Sequence, residues 1–333
     1  MSADAREATG EEPDQAKEGY GHLTPRMAVQ LAAPHTWVSA ILPALVAASA
    51  AAVTSPGISV AMACVLLAEP WLLLSTAAAC VLMQSAVNTF NDYYDYVKGT
   101  DSADDNVDPT DAVLVYNNVN PRAALALAIG FLVAAFALGA YVIWVAGWIP
   151  LAIGIVGALF VVLYSAGKTP LSYLPIGELV SGGVMGGLIP LACYQALTGV
   201  FDLRALLWAV PTIIGVGLVM LTNNTCDVEK DACAGRRTLP VLLGRPRARS
   251  LYHALVFAWI AAIVVIVAGF FTNGLVVMPV MLLAAYPLVN ALLKNPLVPA
   301  SRIGAMAQIC GVNVALGAFY AAAILASGVV VTV

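Results

Sequence analysis

Two acidic segments with a shared internal layout carry the most chemistry in this chain. The first reads Asn91-Asp92-Tyr93-Tyr94-Asp95-Tyr96-Val97-Lys98, and the second reads Asn223-Asn224-Thr225-Cys226-Asp227-Val228-Glu229-Lys230-Asp231. Laid over each other, Asn91 meets Asn223, Asp95 meets Asp227 and Lys98 meets Lys230. Both follow long apolar runs, and carboxylates so near the end of a membrane span are costly enough to mark a site. On a helix, i,i+4 spacing sets Asn91 and Asp95 on one face, and it aligns Asn223, Asp227 and Asp231 across two turns. Two such clusters facing each other across a bundle repel unless cations lie between them. Hard oxygen donors with room for water suit Mg²⁺, which shares carboxylates with a substrate phosphate. The pattern points to a membrane enzyme acting on a diphosphate.

Basic residues stand beside these acids. The second segment runs on into Gly235-Arg236-Arg237-Thr238-Leu239-Pro240, and guanidinium groups next to metal-binding carboxylates suit phosphate oxygens. Basic loops also serve topology alone, and for Arg236 and Arg237 the two readings are evenly matched. Lys168, in the connection Tyr164–Glu178, is a third cation on the same side. Glu178 opens the next apolar run, where an ionisable group is costly enough to expect a role. It is a candidate to exchange a proton with an acceptor hydroxyl, or else to lock two helices together; Tyr173 and His35 are its rivals. Asp101 comes within reach of a metal if Gly99 turns the chain back, whereas Asp104, Asp105, Asp108 and Asp111 read as a solvated loop. The glycines of Gly182-Gly183-Val184-Met185-Gly186-Gly187 read first as close helix packing.

The elements that must position these residues are membrane helices. Hydrophobic residues make up 61% and charged residues 10% of the 333, with a mean hydropathy of +0.89, whereas a soluble domain carries about a quarter charged residues. A span needs ~20 residues, and apolar runs fall at 28–52, 71–90, 122–144, 148–165, 176–197, 205–223, 251–271, 274–292 and 303–330. The expected fold is an all-α, polytopic membrane protein of about nine transmembrane helices around a central apolar chamber. The stretch 57–70, broken by Glu69-Pro70, is either an interfacial loop or an extension of its neighbours.

With these spans every Lys and Arg except Arg204 falls on one side. The positive-inside rule then places the N-terminus and both acidic motifs in the cytoplasm of a multi-pass cell-membrane protein. Residues 1–25 are polar and acidic without an apolar core, so a disordered tail is expected there, with residues 26–333 forming the transmembrane domain. No basic stripe points to nucleic acid. The six cysteines fit no zinc spacing.

On these motifs the chain resembles the UbiA superfamily of intramembrane aromatic prenyltransferases, over essentially all of residues 25–330. Asn91-Asp92-x-x-Asp95 and Asp227-x-x-x-Asp231 match the two family motifs, after the second and sixth helices. The stretches NDYYDYVKGTD and GRRTLPVLLG, and Tyr164-Ser165-x-Gly167 with Pro170 and Gly177-Glu178, are most similar to the menaquinone branch. Those enzymes join a polyprenyl chain to 1,4-dihydroxy-2-naphthoate with loss of the ring carboxyl.

The resemblance implies that Asp92, Asp95, Asp101, Asp227 and Asp231 hold Mg²⁺. Asn91, Asn223, Lys168, Arg236 and Arg237 bind the polyprenyl diphosphate, and Glu178 serves the aromatic acceptor. Departures fall on acceptor identity: Cys226 replaces a common Arg, Ala33 precedes Pro34-His35 where a basic residue is usual, and Asp108–Asp111 replaces a Gly-Pro segment. Transfer to 4-hydroxybenzoate or another quinone precursor is the alternative. A cation-coupled transporter is a further reading, but the acids cluster at span ends rather than mid-span.

Overall fold

The computed structural model describes residues 20–54, 70–99 and 112–328. Asp101, Asp104, Asp105, Asp108, Asp111, most of the 57–70 stretch and most of the 1–25 tail lie outside them. The described residues form helices: α1 Pro25–Ala32, α2 Val38–Thr54, α3 Pro70–Val97, α4 Pro121–Ala146, α5 Trp148–Ser165, α6 Gly177–Thr198, α7 Val210–Cys226, α8 Val228–Cys233, α9 Arg245–Phe270, α10 Met278–Lys294 and α11 Arg302–Ser327. Apart from one isolated bridge between Gly21 and Val119, no β-pairing occurs among them.

Seven helical stretches, namely α3–α6, α9, α10 with the turn Thr272–Val277 that precedes it, and α11, are long and apolar enough to cross a membrane. The bent pair α1–α2, with 52° between its halves, makes an eighth. The remaining expected span, 205–223, corresponds to α7, which has 17 residues and is preceded by the short helix Arg204–Trp208. The bend between α1 and α2 comes from Ala33, a left-handed residue (φ 46°) followed by Pro34, which has no N–H to continue a helix.

Local chemistry starts and stops the helices. Thr24 caps α1 through Met27 N, and Asn120 caps α4 through Arg122 N, each with proline at the first helical position. The main core joins α2, α6, α7, α9, α10 and α11 around the fully buried Tyr252, Trp259, Phe271 and Tyr320. The buried hydroxyls are satisfied: Thr222 Oγ1 donates to Tyr252 Oη at 3.0 Å, and Tyr320 Oη donates to the Trp208 carbonyl at 2.7 Å. Helices α4 and α5 instead turn most of their apolar surface outward, as lipid-facing helices do. Trp71, Trp144 and Trp148 stand exposed at the helix ends farthest along α3 from its acids, where interfacial aromatics belong.

The glycine run in α6 acts as a packing surface. A Cβ on Gly186 would lie 2.5 Å from the Thr212 carbonyl oxygen and from Ile213 Cα, and one on Gly182 would lie 2.5 Å from the Ile213 carbonyl oxygen. Only glycine lets α6 and α7 approach this closely. That contact brings the start of α6, with Glu178, beside the end of α7, with Asn223 and Asn224.

Candidate active site

Helix α3 runs past its apolar stretch and through the first motif to Val97, so the acids sit on a regular helix. Asn91 Nδ2 donates to Asp95 Oδ2 at 3.0 Å, and Asn91 Oδ1 accepts from Ser165 Oγ at 3.3 Å. Asp92 accepts the Val113 backbone N–H at 3.0 Å. Lys98 reaches away from the acids to the Ser165 carbonyl at 2.9 Å, with its ammonium over the rings of Tyr94 and Tyr173.

The second motif has a different backbone. Helix α7 stops before Asp227 (φ −100°, ψ 20°), and α8 resumes at Val228. The i,i+4 register survives the break, since Asp227 N–H donates to the Asn223 carbonyl at 3.1 Å and Asp231 N–H donates to the Asp227 carbonyl at 2.8 Å. Arg245 satisfies the end of α7 by donating to the carbonyls of Thr225 and Cys226, both at 3.2 Å. The same guanidinium holds the exposed Glu229 by two contacts of 2.5 Å, which keeps that acid out of the site.

Two arginines join the motifs to the rest of the fold. Arg236 pairs with Asp95 of the first motif and lies 3.5 Å from Asp231 of the second, its guanidinium 4.8 Å above the Tyr173 ring. Arg302, at the start of α11, donates to Asp227 Oδ2 at 3.1 Å and to Asn223 Oδ1 at 2.6 Å. Asp231 is buried and accepts from Thr238 Oγ1 at 3.2 Å. Burial pushes its carboxyl up to about 6, with the Arg236 charge acting against that rise and the Asp227 charge adding to it.

These groups line one cavity of about 220 Å³. Asn91, Asp92, Asp95, Asn223, Asp227, Asp231 and Arg236 all reach its wall. His35 lines it as well. A second, apolar cleft of about 130 Å³ between α3, α4, α5 and α6 adjoins it, and Gln84, Val87, Val161, Val184 and Met185 form wall common to both. A polar pocket thus adjoins an apolar cleft.

Not every expected residue arrives there. Lys168 and Arg237 are exposed and stand outside the cavity wall; the part of Arg237 that matters locally is its backbone N–H, which donates to the Tyr173 carbonyl at 2.8 Å. Glu178 lies behind the wall, where its Oε1 accepts from Asn224 Nδ2 at 2.8 Å, and Asn224 itself faces the cavity. Sequence reasoning passed over Arg302 and Asn224. Arg302 showed only as one of several basic residues on the motif side, and its reach to Asp227 depends on how α11 folds back.

Among the described residues no three Asp, Glu, His or Cys side chains converge on one point. Mg²⁺ needs no such cage, since it takes one or two carboxylates and fills its remaining positions with water and phosphate oxygens. An all-oxygen donor set split between two facing helix ends fits that habit.

Comparison with known proteins agrees. Residues 40–312 match the model of the UbiA prenyltransferase family. A 1,4-dihydroxy-2-naphthoate octaprenyltransferase of Bacillus subtilis is 31% identical over 261 residues, covering 76% of this chain and 80% of the relative. One from Mycobacterium tuberculosis is also 31% identical, covering 72% and 82%. Among solved structures, a UbiA homologue from Aeropyrum pernix superposes with a TM-score of 0.61 at 19% identity, covering 87% of this chain and 97% of the other. One from Archaeoglobus fulgidus, bound to DMAPP and Mg²⁺, gives 0.57 at 14% identity, covering 90% and 99%. Those two likenesses speak for the fold alone. With a family match over most of its length, this multi-pass membrane chain belongs to the UbiA prenyltransferase family and is an intramembrane prenyltransferase.

Proposed function

We propose that the chain transfers a polyprenyl group from polyprenyl diphosphate to 1,4-dihydroxy-2-naphthoate, with Mg²⁺ as cofactor and the site on the cytoplasmic side. The observation that carries this reading is the meeting of both acidic motifs in one cavity that continues into an apolar cleft. The names of the Bacillus and Mycobacterium relatives support the choice of aromatic acceptor, and the Mg²⁺ and DMAPP in the Archaeoglobus homologue support the cofactor and donor. In this reading residues 26–333 act as one domain behind the 1–25 tail, and the one-sided distribution of Lys and Arg sets the N-terminus in the cytoplasm.

Asp92, Asp95, Asp227 and Asp231, with Asn91 and Asn223, would hold Mg²⁺, and Asp101 would join them. The bound cation supplies charge to neutralise the departing diphosphate. Arg236 and Arg302 already lie on the carboxylates and bring two further positive charges to the same pocket, where low dielectric strengthens them. Breaking the allylic C–O bond leaves a carbocation whose positive charge is safe from hydrolysis only if water is kept out. The apolar wall of Val87, Val161, Val184 and Met185 does this. The electron-rich ring then forms the new C–C bond, and the ring position gives up its substituent to recover aromaticity.

One assay tests the acceptor assignment: purified chain, one radiolabelled polyprenyl diphosphate, and several aromatic acceptors. The expected result is a higher kcat/KM for 1,4-dihydroxy-2-naphthoate than for 4-hydroxybenzoate. The reverse order would remove the naphthoate assignment and leave prenyl transfer to another phenol.

A further inference from the structure

Gln84 stands on α3 two turns before Asp92, about 12 Å deeper along the helix at 1.5 Å per residue. It is 6% exposed and belongs to the wall shared by the polar cavity and the apolar cleft. Its amide nitrogen donates to Thr36 Oγ1 at 3.1 Å and to Asn88 Oδ1 at 3.3 Å. Its Oε1 is buried and accepts no hydrogen bond among the described residues.

Amide orientation is usually inferred from partners, and here the partners leave one choice. Thr36 Oγ1 spends its hydrogen on the Ala33 carbonyl at 2.9 Å. Asn88 Nδ2 donates to the Ala32 carbonyl at 3.1 Å and to Thr36 Oγ1 at 2.9 Å, so Asn88 turns only its oxygen toward Gln84. Gln84 therefore faces two acceptors and must present its NH₂ to them. The whole arrangement depends on the left-handed Ala33, which breaks α1 from α2 and leaves the carbonyls of Ala32 and Ala33 open to side-chain donors.

A buried carbonyl oxygen without a donor is costly, and such an atom in a native fold calls for an explanation. A prenyl chain has no hydrogen to donate, and an ionised diphosphate offers only acceptor oxygens. A ring hydroxyl is a donor. We propose that Gln84 Oε1 receives a hydroxyl of the aromatic substrate, fixing the ring between the diphosphate pocket and the apolar cleft. This rests on the function proposed above and names the residue that recognises the ring's hydroxyl pattern.

The test is equilibrium binding to the purified chain in the presence of Mg²⁺ and unreactive farnesyl thiodiphosphate. Three ligands are compared: 1,4-dihydroxy-2-naphthoate, 1-hydroxy-2-naphthoate and 4-hydroxy-2-naphthoate. In the wild type, one mono-hydroxy compound is expected to bind about tenfold more weakly than the diol, the size of one good hydrogen bond. In Gln84→Met the diol is expected to fall by the same factor, and that mono-hydroxy compound to lose nothing further. Thiodiphosphate affinity should stay within about twofold, which a general loss of packing would not allow.

Unchanged diol affinity in Gln84→Met overturns the proposal and leaves the oxygen to an ordered water. A parallel loss for all three ligands and for thiodiphosphate overturns it in favour of a structural role. Should the variant fail to fold, the wild type decides alone, because equal affinity for all three naphthoates overturns it. A wild type that binds thiodiphosphate but does not prenylate the diol removes the proposed function and this assignment together. Turnover of the diol without a Gln84-dependent hydroxyl effect removes this assignment only.

Discussion

The two acidic segments match in their Asn, Asp and Lys positions, yet the fold holds them by different means. In the first, α3 is unbroken and Asn91 donates directly to Asp95. In the second, the helix breaks at Asp227, and a guanidinium from α11 stands between the equivalent pair, binding Asn223 and Asp227 together. The lysines diverge too: Lys98 is drawn off to the Ser165 carbonyl, whereas Lys230 lines the cavity. Likeness of pattern preserved which Asn and Asp residues reach the cavity, but neither the fate of the lysines nor what supports the acids. The first motif keeps an Asn–Asp bond within its own helix, beside contacts from Ser165, Val113 and Arg236. The second depends on distant chain, namely Arg245 for the α7 terminus and Arg302 for the carboxylate.

The harshest way to break the comparison is to remove what both motifs are proposed to share. Excess EDTA is expected to abolish turnover, with Mg²⁺ restoring it, because the facing carboxylates need a cation when diphosphate enters. Asp95→Asn and Asp227→Asn are each expected to lower kcat at least ~100-fold while leaving the protein folded, as each removes one ligand charge from its motif. Full turnover in EDTA would place the chemistry elsewhere. A near-normal rate in only one Asp variant would show that the motifs are alike in sequence and unequal in function.

How far the sequence anticipates this follows from what each kind of residue requires. Acids at span ends are legible because burying them is costly and periodicity fixes their face, so Asp92, Asp95, Asp227 and Asp231 all reach one cavity. The helices are legible through length and hydropathy, except that α7 is shorter than its apolar run implies. Side-chain reach is not legible. Arg236 and Arg237 are adjacent and chemically equal, yet the Arg236 backbone N–H donates to the Asp231 carbonyl and that of Arg237 donates to the Tyr173 carbonyl, and only the first guanidinium turns inward. Arg302 and Gln84 matter through contacts with chain dozens of residues away, which no local pattern encodes.

The arginines sharpen the comparison at a smaller scale. Arg236 touches Asp95 and Asp231, one acid of each motif, and Arg302 touches Asn223 and Asp227 of the second. Charge-assisted hydrogen bonds are worth roughly 1.5–3 kcal/mol each. Arg236→Gln is therefore expected to weaken farnesyl thiodiphosphate binding by tenfold or more, and Arg302→Gln by less. Equal losses, read by titration at fixed Mg²⁺, would mean that the two guanidiniums act as interchangeable charge and that bridging the motifs confers nothing extra.

The smallest effect is expected at Glu178, whose position changes what its substitution should do. An acid at the mouth of α6 invited the role of proton acceptor, but its Oε1 is taken by Asn224 Nδ2 and the cavity wall is formed by Asn224 itself. Glutamine keeps an oxygen for that bond, so Glu178→Gln should hold Asn224 in place and lower kcat for the aromatic acceptor only about two- to threefold, within the ~0.7 kcal/mol that such a ratio represents. Glu178→Ala removes the anchor, frees Asn224 to rotate, and should cost more, roughly tenfold. Thiodiphosphate affinity should stay within about twofold in both, because neither change touches Arg236, Arg302 or a motif aspartate. The pH profile separates the two roles: a proton-accepting carboxylate would give Glu178→Gln a deep loss and erase one limb of the kcat profile, whereas an anchor would leave the profile's shape intact. A deep loss with a vanished limb would restore Glu178 as the proton acceptor and require the α6 entrance to turn toward the ring when substrates bind.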